Sequence, residues 1–91
     1  MLKSLNIGGE KWKIIYKDIE EFGLIDIDNR EIFIRCGLSE EDSRRTLFHE
    51  ATHAAFHMSG LSYLFEDNQE EAIVRALDNL FYPAAKIILK N

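Results

Sequence analysis

Residues 49–53 read His-Glu-Ala-Thr-His, and this spacing constrains the fold more than any other feature of the chain. On an α-helix, residues four positions apart lie above one another with about 6 Å of rise, so His49 and His53 point the same way. One metal ion can then contact both imidazoles. Glu50 projects beside such an ion, where a base acting on metal-activated water belongs. The pattern His-Glu-x-x-His therefore predicts a helix that supplies part of a zinc site.

The residues around this motif are typical of a helix that packs one face on a core. Its apolar stripe consists of Leu47, Ala51, Ala54, Ala55 and Met58. Ser39 stands before three acidic residues, as in a capping box. Gly60 suits the left-handed conformation that ends many helices. We therefore predict a helix over residues 39–59.

Strand-like patterns precede this helix. Residues 11–16 alternate and contain β-branched side chains, and residues 22–28 alternate again. The predicted apolar face of the first segment consists of Trp12, Ile14 and Tyr16. Asp, Asn and Arg at positions 28–30 are turn residues before Glu31–Arg35, which predicts a hairpin.

A second helix is predicted after the motif, because residues 69–89 carry apolar side chains at helical spacing. Pro83 lacks a backbone donor and is expected to kink this helix. The apolar linker 61–68 is expected to pack over the sheet or a cleft. We predict an α+β fold: a three-stranded antiparallel sheet followed by two packed helices, as one domain over residues 1–91 that resembles zincins in its His-Glu-x-x-His helix.

Composition limits the partners. A chain of 91 residues with 46% hydrophobic content suits one small folded domain. The net charge of −5 argues against nucleic acid, because phosphate binding depends on clustered Lys and Arg. No stretch approaches the roughly 18 apolar residues of a membrane span, so no membrane partner is expected. The lone Cys36 and the absence of a visible signal peptide predict a cytoplasmic protein, of unknown oligomeric state.

A catalytic zinc usually has three protein ligands, so two histidines need a partner. His57 is excluded, since eight residues of helix place it about 12 Å from His49. Phe56 and Ser59 stand where the patterns with a third histidine require Gly and His. A carboxylate from the second helix is therefore the remaining source of a third ligand.

Glu70 and Glu71 open that second helix and are both candidates for the third ligand. Wheel geometry favours Glu70, which falls nearer the apolar stripe. Each Glu also has a structural interpretation as the third residue of a capping box. The cap would be Asp67 for Glu70 and Asn68 for Glu71. The residues alone leave this choice open.

The motif at 49–53, followed by Glu71 and Ala72, resembles the two-helix zinc site of gluzincin metallopeptidases. In those enzymes Glu-Ala opens the second helix. The short length, the preceding strands and Asn-Leu-Phe-Tyr at 79–82 resemble small phage-borne and bacterial relatives of the ImmA/IrrE metallopeptidases. The five-residue motif is the specific part of the likeness.

This resemblance implies that Glu71 completes a ligand set with His49 and His53. Gluzincins often carry an Asp four residues after this Glu, where it orients a ligand histidine. Arg75 occupies that position here. Asp78, one turn further on, is the expected substitute.

The resemblance further implies a zinc metallopeptidase acting on a peptide or protein substrate, with Glu50 as general base for the water and as proton donor to the departing amine. Zinc would stabilise the oxyanion that forms on the substrate, and a second group is expected to assist it. The candidates for this second group are Tyr63, Tyr82, His57 and Arg45. Glu31–Arg35 would pair with an extended substrate if it forms the sheet edge. The alternative expectation is a non-catalytic, zinc-stabilised protein-binding module.

Overall fold

A four-stranded sheet packs one face against the helix that carries the His-Glu-x-x-His motif. The computed structural model describes residues 1–90. Its first five elements are β1 (Ser4–Ile7), β2 (Glu10–Lys17), β3 (Gly23–Asp26), β4 (Glu31–Arg35) and α1 (Glu40–Met58). The spatial order of the strands is β1-β2-β4-β3. β2 and β4 are parallel, and the two other neighbouring pairs are antiparallel.

The α+β class is correct, but the predicted three-stranded antiparallel sheet is wrong in strand number and direction. The additional strand is β1, which is only four residues long. Gly8 and Gly9, at φ 61° and 87°, form the two-residue turn between β1 and β2. Both φ values are positive, and such a turn matches the twist of a hairpin. The alternation of Leu5 and Ile7 before this turn was the signal for β1.

The strand order differs from the prediction because β4 lies between β2 and β3. The predicted β3–β4 hairpin is confirmed, with the Asn29 N–H donating to the Asp26 carboxylate in its turn. Ile32 and Ile34 of β4 are fully buried, so the most apolar strand takes a central position. Glu31–Arg35 is therefore central, so the condition for its pairing with a substrate is not met, and β3 is the edge.

The main core lies between the sheet and α1. Its buried members are Trp12, Ile14, Ile32, Ile34 and Ala54. Tyr16 packs against this cluster, which confirms the predicted apolar face of β2. The N–H of Asp42 donates to the Ser39 hydroxyl, and Gly60 follows α1 at φ 81°. The predicted caps of α1 are thus confirmed.

The second helical segment is divided in three. It consists of α2 (Asp67–Ala76), a π-helical turn (Leu77–Phe81) and α3 (Tyr82–Lys90). Pro83 lies in the first turn of α3, so the predicted irregularity at this residue is displaced to the turn before it. The physical reason is that proline has no N–H to donate to a carbonyl in the preceding turn. No helix within residues 1–90 is long and apolar enough to cross a membrane.

An ion pair ties α3 to the start of α1. Lys86 Nζ donates to the Glu41 carboxylate at 2.7 Å, and the Tyr82 hydroxyl donates to the same carboxylate at 3.5 Å. The hydrogen bond from Lys86 is the main reason that the pKa of Glu41 is lowered below its ordinary value of 4.5. Because the folded state favours ionised Glu41, this pair stabilises the fold above the unfolded pKa and is lost as the pH falls.

We expect Glu41→Gln to lower the melting temperature at pH 7, because it removes the charge that Lys86 contacts. The difference from the unmodified chain should begin to shrink as the pH falls below about 4.5, where the unfolded chain becomes protonated, and should disappear once the carboxylate of the folded chain is protonated as well. Thermal melts followed by circular dichroism from pH 7 to pH 3 measure this. Glu21→Gln is the matched control in the exposed loop before β3. A constant difference over the whole pH range would contradict the assignment.

Candidate metal centre

Two imidazoles on successive turns of α1 converge on one carboxylate of α2. Glu71 Oε1 lies 3.3 Å from His49 Nε2, and Glu71 Oε2 lies 2.9 Å from His53 Nε2. One ligand atom from each of these three residues lies within 4.8 Å of the other two. Residues 1–90 contain no other group of three His, Cys, Asp or Glu side chains that meets this geometric condition. The structure thus brings together the three predicted ligands.

Each imidazole also has a carboxylate on its second nitrogen. His49 Nδ1 donates to Asp78, and His53 Nδ1 donates to Glu70 at 2.6 Å. A carboxylate only accepts hydrogen bonds, so Nδ1 carries a proton in both residues, and the 2.9 Å contact of His53 Nε2 with Glu71 makes that nitrogen a donor as well. A metal bound at Nε2 would replace that proton and leave a neutral ring protonated on Nδ1, whose Nε2 lone pair can bind the metal. The donor set and the outer carboxylates therefore fit a metal centre.

Glu70 is the residue whose role the sequence did not predict. Wheel geometry favoured it as a ligand, but its carboxylate lies on the outer nitrogen of His53 and also accepts from the Ser62 hydroxyl at 2.7 Å. The capping interpretations are wrong, because the cap of α2 is Glu66 and the third residue of its capping box is Gln69, whose side chain accepts from the Glu66 N–H. Glu70 and Glu71 therefore have no capping role, and both contact histidines of α1.

Burial raises the pKa of the Glu50 carboxyl, against the opposing effect of the two imidazoles. Its side chain lies under β3, and the residue is only 8% exposed. For His53, burial lowers the pKa, but the hydrogen bond from its ring to Glu70 and the negative charge of Glu71 outweigh this effect and leave it raised. The site therefore combines a shielded carboxyl with one imidazole, that of His53, whose pKa the acidic neighbours raise.

Gly23 allows β3 to approach α1 closely enough to cover this carboxyl. A Cβ atom on Gly23 would lie 2.5 Å from Thr46 Cγ2, 3.1 Å from Glu50 Oε2 and 3.1 Å from the Phe33 carbonyl oxygen. Real side chains do not tolerate the first of these distances. No local sequence pattern indicates this role of Gly23, because the contact depends on how β3 lies over α1.

The cleft along β3 has two lobes that meet at His49, Glu50 and Glu71. The lobe at the carboxyl end of β3 has a volume of about 510 Å³ and includes Ile27 and Asp67. The lobe at the amino end of β3 has a volume of about 490 Å³ and includes Phe22 and Arg75. Both lobes contain Gly23, His49, Glu50 and Glu71. An extended chain laid along β3 would therefore pass directly over the centre.

The four candidate oxyanion donors lie in different places. His57 lines the first lobe and Arg45 lines the second. The Tyr63 ring is beside His57 but the residue is 81% exposed. Tyr82 is buried against Phe48 and does not line either lobe. His57 and Arg45 are thus the two candidates within the cleft.

Comparison with known proteins adds no assignment: no family model, curated protein or solved structure matches this chain.

We expect Gly23→Ala to destabilise the fold by about 1–3 kcal/mol, because the added methyl group overlaps Thr46. Urea denaturation measures the loss. Thr46→Ser removes the closest contacting methyl group, so the double variant should recover part of the stability lost in Gly23→Ala. If Gly23→Ala alone were as stable as the unmodified chain, β3 would not lie this close to α1.

Proposed function

We propose that this protein is a zinc-dependent peptidase that binds its metal through His49, His53 and Glu71 and uses Glu50 as general base. The observation that carries the proposal is the convergence of both Nε2 atoms on Glu71, beside a buried carboxyl and beneath an open strand edge. The fold class of gluzincins, suggested by the motif, is part of the proposal.

Zinc is the metal that this donor set suits best. Two imidazoles and one carboxylate form a common three-ligand set for catalytic zinc, which leaves a position open to water or substrate. A zinc ion bound there would supply a water molecule with a pKa near 7 and would polarise a carbonyl group. The hydrogen bonds from His49 to Asp78 and from His53 to Glu70 hold the rings in the orientation that such binding requires.

Glu50 provides the proton transfers in this mechanism. It follows His49 on α1 and lines both lobes, so it adjoins the imidazoles without belonging to the ligand group. Its raised pKa makes it a stronger base than an ordinary carboxylate. It would accept a proton from the attacking water and deliver that proton to the departing amine. Its burial under β3 limits competition from bulk solvent.

The edge of β3 is the proposed support for the substrate backbone, in place of Glu31–Arg35. The Arg35 N–H donates to the Phe22 carbonyl at 2.8 Å, which places Phe22 in a hydrogen-bonded pair with β4. Such pairs alternate along an antiparallel ladder, so Gly23 and Ile25 direct their backbone groups to the free edge. An extended peptide can add to this edge as a further strand.

We expect the purified chain to retain one equivalent of zinc and to cleave an unstructured protein such as casein in a chelator-sensitive way. Glu50→Gln should retain zinc but lose at least about 100-fold in cleavage rate, because the base is removed and the ligands are not. Metal analysis and a fluorescent casein assay measure the two properties, with Glu20→Gln as a surface control. Undiminished cleavage by Glu50→Gln would rule out the proposed mechanism.

The same experiment separates the alternative of a zinc-stabilised binding module. That alternative predicts one equivalent of zinc, unfolding on chelation and no cleavage by the unmodified chain. Absence of zinc after zinc-replete expression would exclude both.

We expect Asp78→Asn and Glu70→Gln each to weaken zinc binding by about 10- to 100-fold, because each variant replaces the carboxylate that orients a ligand ring. Competition with a chromogenic chelator gives the affinities. Asp67→Asn is the control, since Asp67 lies on α2 without a hydrogen bond to either histidine ring. Unchanged affinity in both test variants would show that these hydrogen bonds do not support metal binding.

A further inference from the structure

The two lobes of the cleft differ in charge. Asp67 and Glu70 are found only in the lobe at the carboxyl end of β3, which we call the acidic lobe and which contains no Lys or Arg. Arg45 and Arg75 are found only in the lobe at the amino end of β3, which we call the basic lobe. A single carboxylate, Asp78, is confined to the basic lobe, and it is bound to His49. The cleft is thus polarised along β3.

These charges are in position to meet a ligand. Asp67 is exposed, and the Glu70 carboxylate accepts from Ser62 and His53. The Arg75 side chain is 72% exposed, and its Nε donates to Glu71 at 3.2 Å. Arg45 is held by the Asp78 carbonyl and by the Tyr82 ring. One lobe therefore attracts cations and the other attracts anions.

The direction of β3 converts this polarity into a sequence preference. Antiparallel pairing is slightly more stable than parallel pairing, so a peptide added to the free edge is expected to run against β3. Its amino-terminal part then lies in the acidic lobe and its carboxyl-terminal part lies in the basic lobe. Gly23 is common to both lobes and adjoins Glu50, so the scissile bond lies opposite Gly23.

We infer that the cleft selects extended peptides with a basic side chain on the amino-terminal side of the scissile bond and an acidic side chain on the carboxyl-terminal side. This inference rests on the proposed peptidase function. Residues 23–27 span roughly 13 Å of strand, so the charged side chains belong within about three residues of the scissile bond. The preference for such peptides depends on exposed charges and falls as the ionic strength rises.

The test measures binding separately from cleavage. Three fluorescein-labelled peptides of equal length share an apolar centre and differ only in two residues: Lys before and Glu after the centre, the reverse, or Gln at both positions. Zinc-loaded Glu50→Gln binds them without turnover, and fluorescence anisotropy gives the affinities. We expect the Lys-before-Glu peptide to bind about five- to tenfold more tightly than the reversed peptide at low salt, with the Gln peptide between them.

Charge variants assign the preference to the two lobes. Asp67→Asn and Arg75→Gln, each in the Glu50→Gln background and at saturating zinc, should each reduce the ratio of the two affinities by about two- to threefold. The matched controls Asp18→Asn and Lys11→Gln make the same charge changes on exposed residues that line neither lobe and should leave the ratio unchanged.

The outcomes distinguish this inference from the proposed function. Equal affinities, tighter binding of the reversed peptide, or no detectable binding of any peptide would overturn the inference. Cleavage of all three peptides by the unmodified chain at equal rates would also overturn it while supporting a peptidase. The expected order of affinities without cleavage of any peptide would support the polarised cleft and refute the peptidase.

Discussion

Hydrogen bonding between imidazoles and carboxylates is the interaction on which the rest of the site depends. His49 and His53 each contact a carboxylate at both ring nitrogens, and the three acidic residues that make these contacts all come from the segment after α1. The interface between α1 and this segment is therefore largely polar at the site. Crowded carboxylates repel one another, so a divalent cation among them would lower the electrostatic cost of this packing as well as serve chemistry.

The sheet order explains how so small a chain builds a cleft. Because β4 enters between β2 and β3, the short strand β3 is left at the edge with its backbone unpaired on one side. Gly23 then lets this edge lie directly over Glu50 on α1. An antiparallel order that followed the chain would have placed β4 at the edge instead. The position of the proposed substrate support is thus a consequence of topology and of one missing side chain.

Local features were predictable from the sequence, and features that depend on tertiary arrangement were not. The motif helix, its caps at Ser39 and Gly60, and the β3–β4 hairpin follow from short-range patterns. The strand order does not follow from such patterns, because it depends on which strand gains most from having a neighbouring strand on each side. The roles of Glu70 and Glu71 could not be separated by helical periodicity, since adjacent residues on α2 reach different nitrogens of His53. Only the family resemblance favoured Glu71.

The π-helical turn at Leu77–Phe81 sets the rotational phase of the last helix. Val74, Asp78 and Tyr82 are spaced by four residues, and on a regular α-helix each step of four drifts by about 40° around the axis. A wider turn of i→i+5 hydrogen bonds compensates for part of that drift. It thereby keeps three side chains on nearly the same side of the segment. These are the buried Val74, Asp78, which contacts His49, and Tyr82, which packs on Phe48. The irregular turn thus aligns the contacts of the candidate site with those of the core.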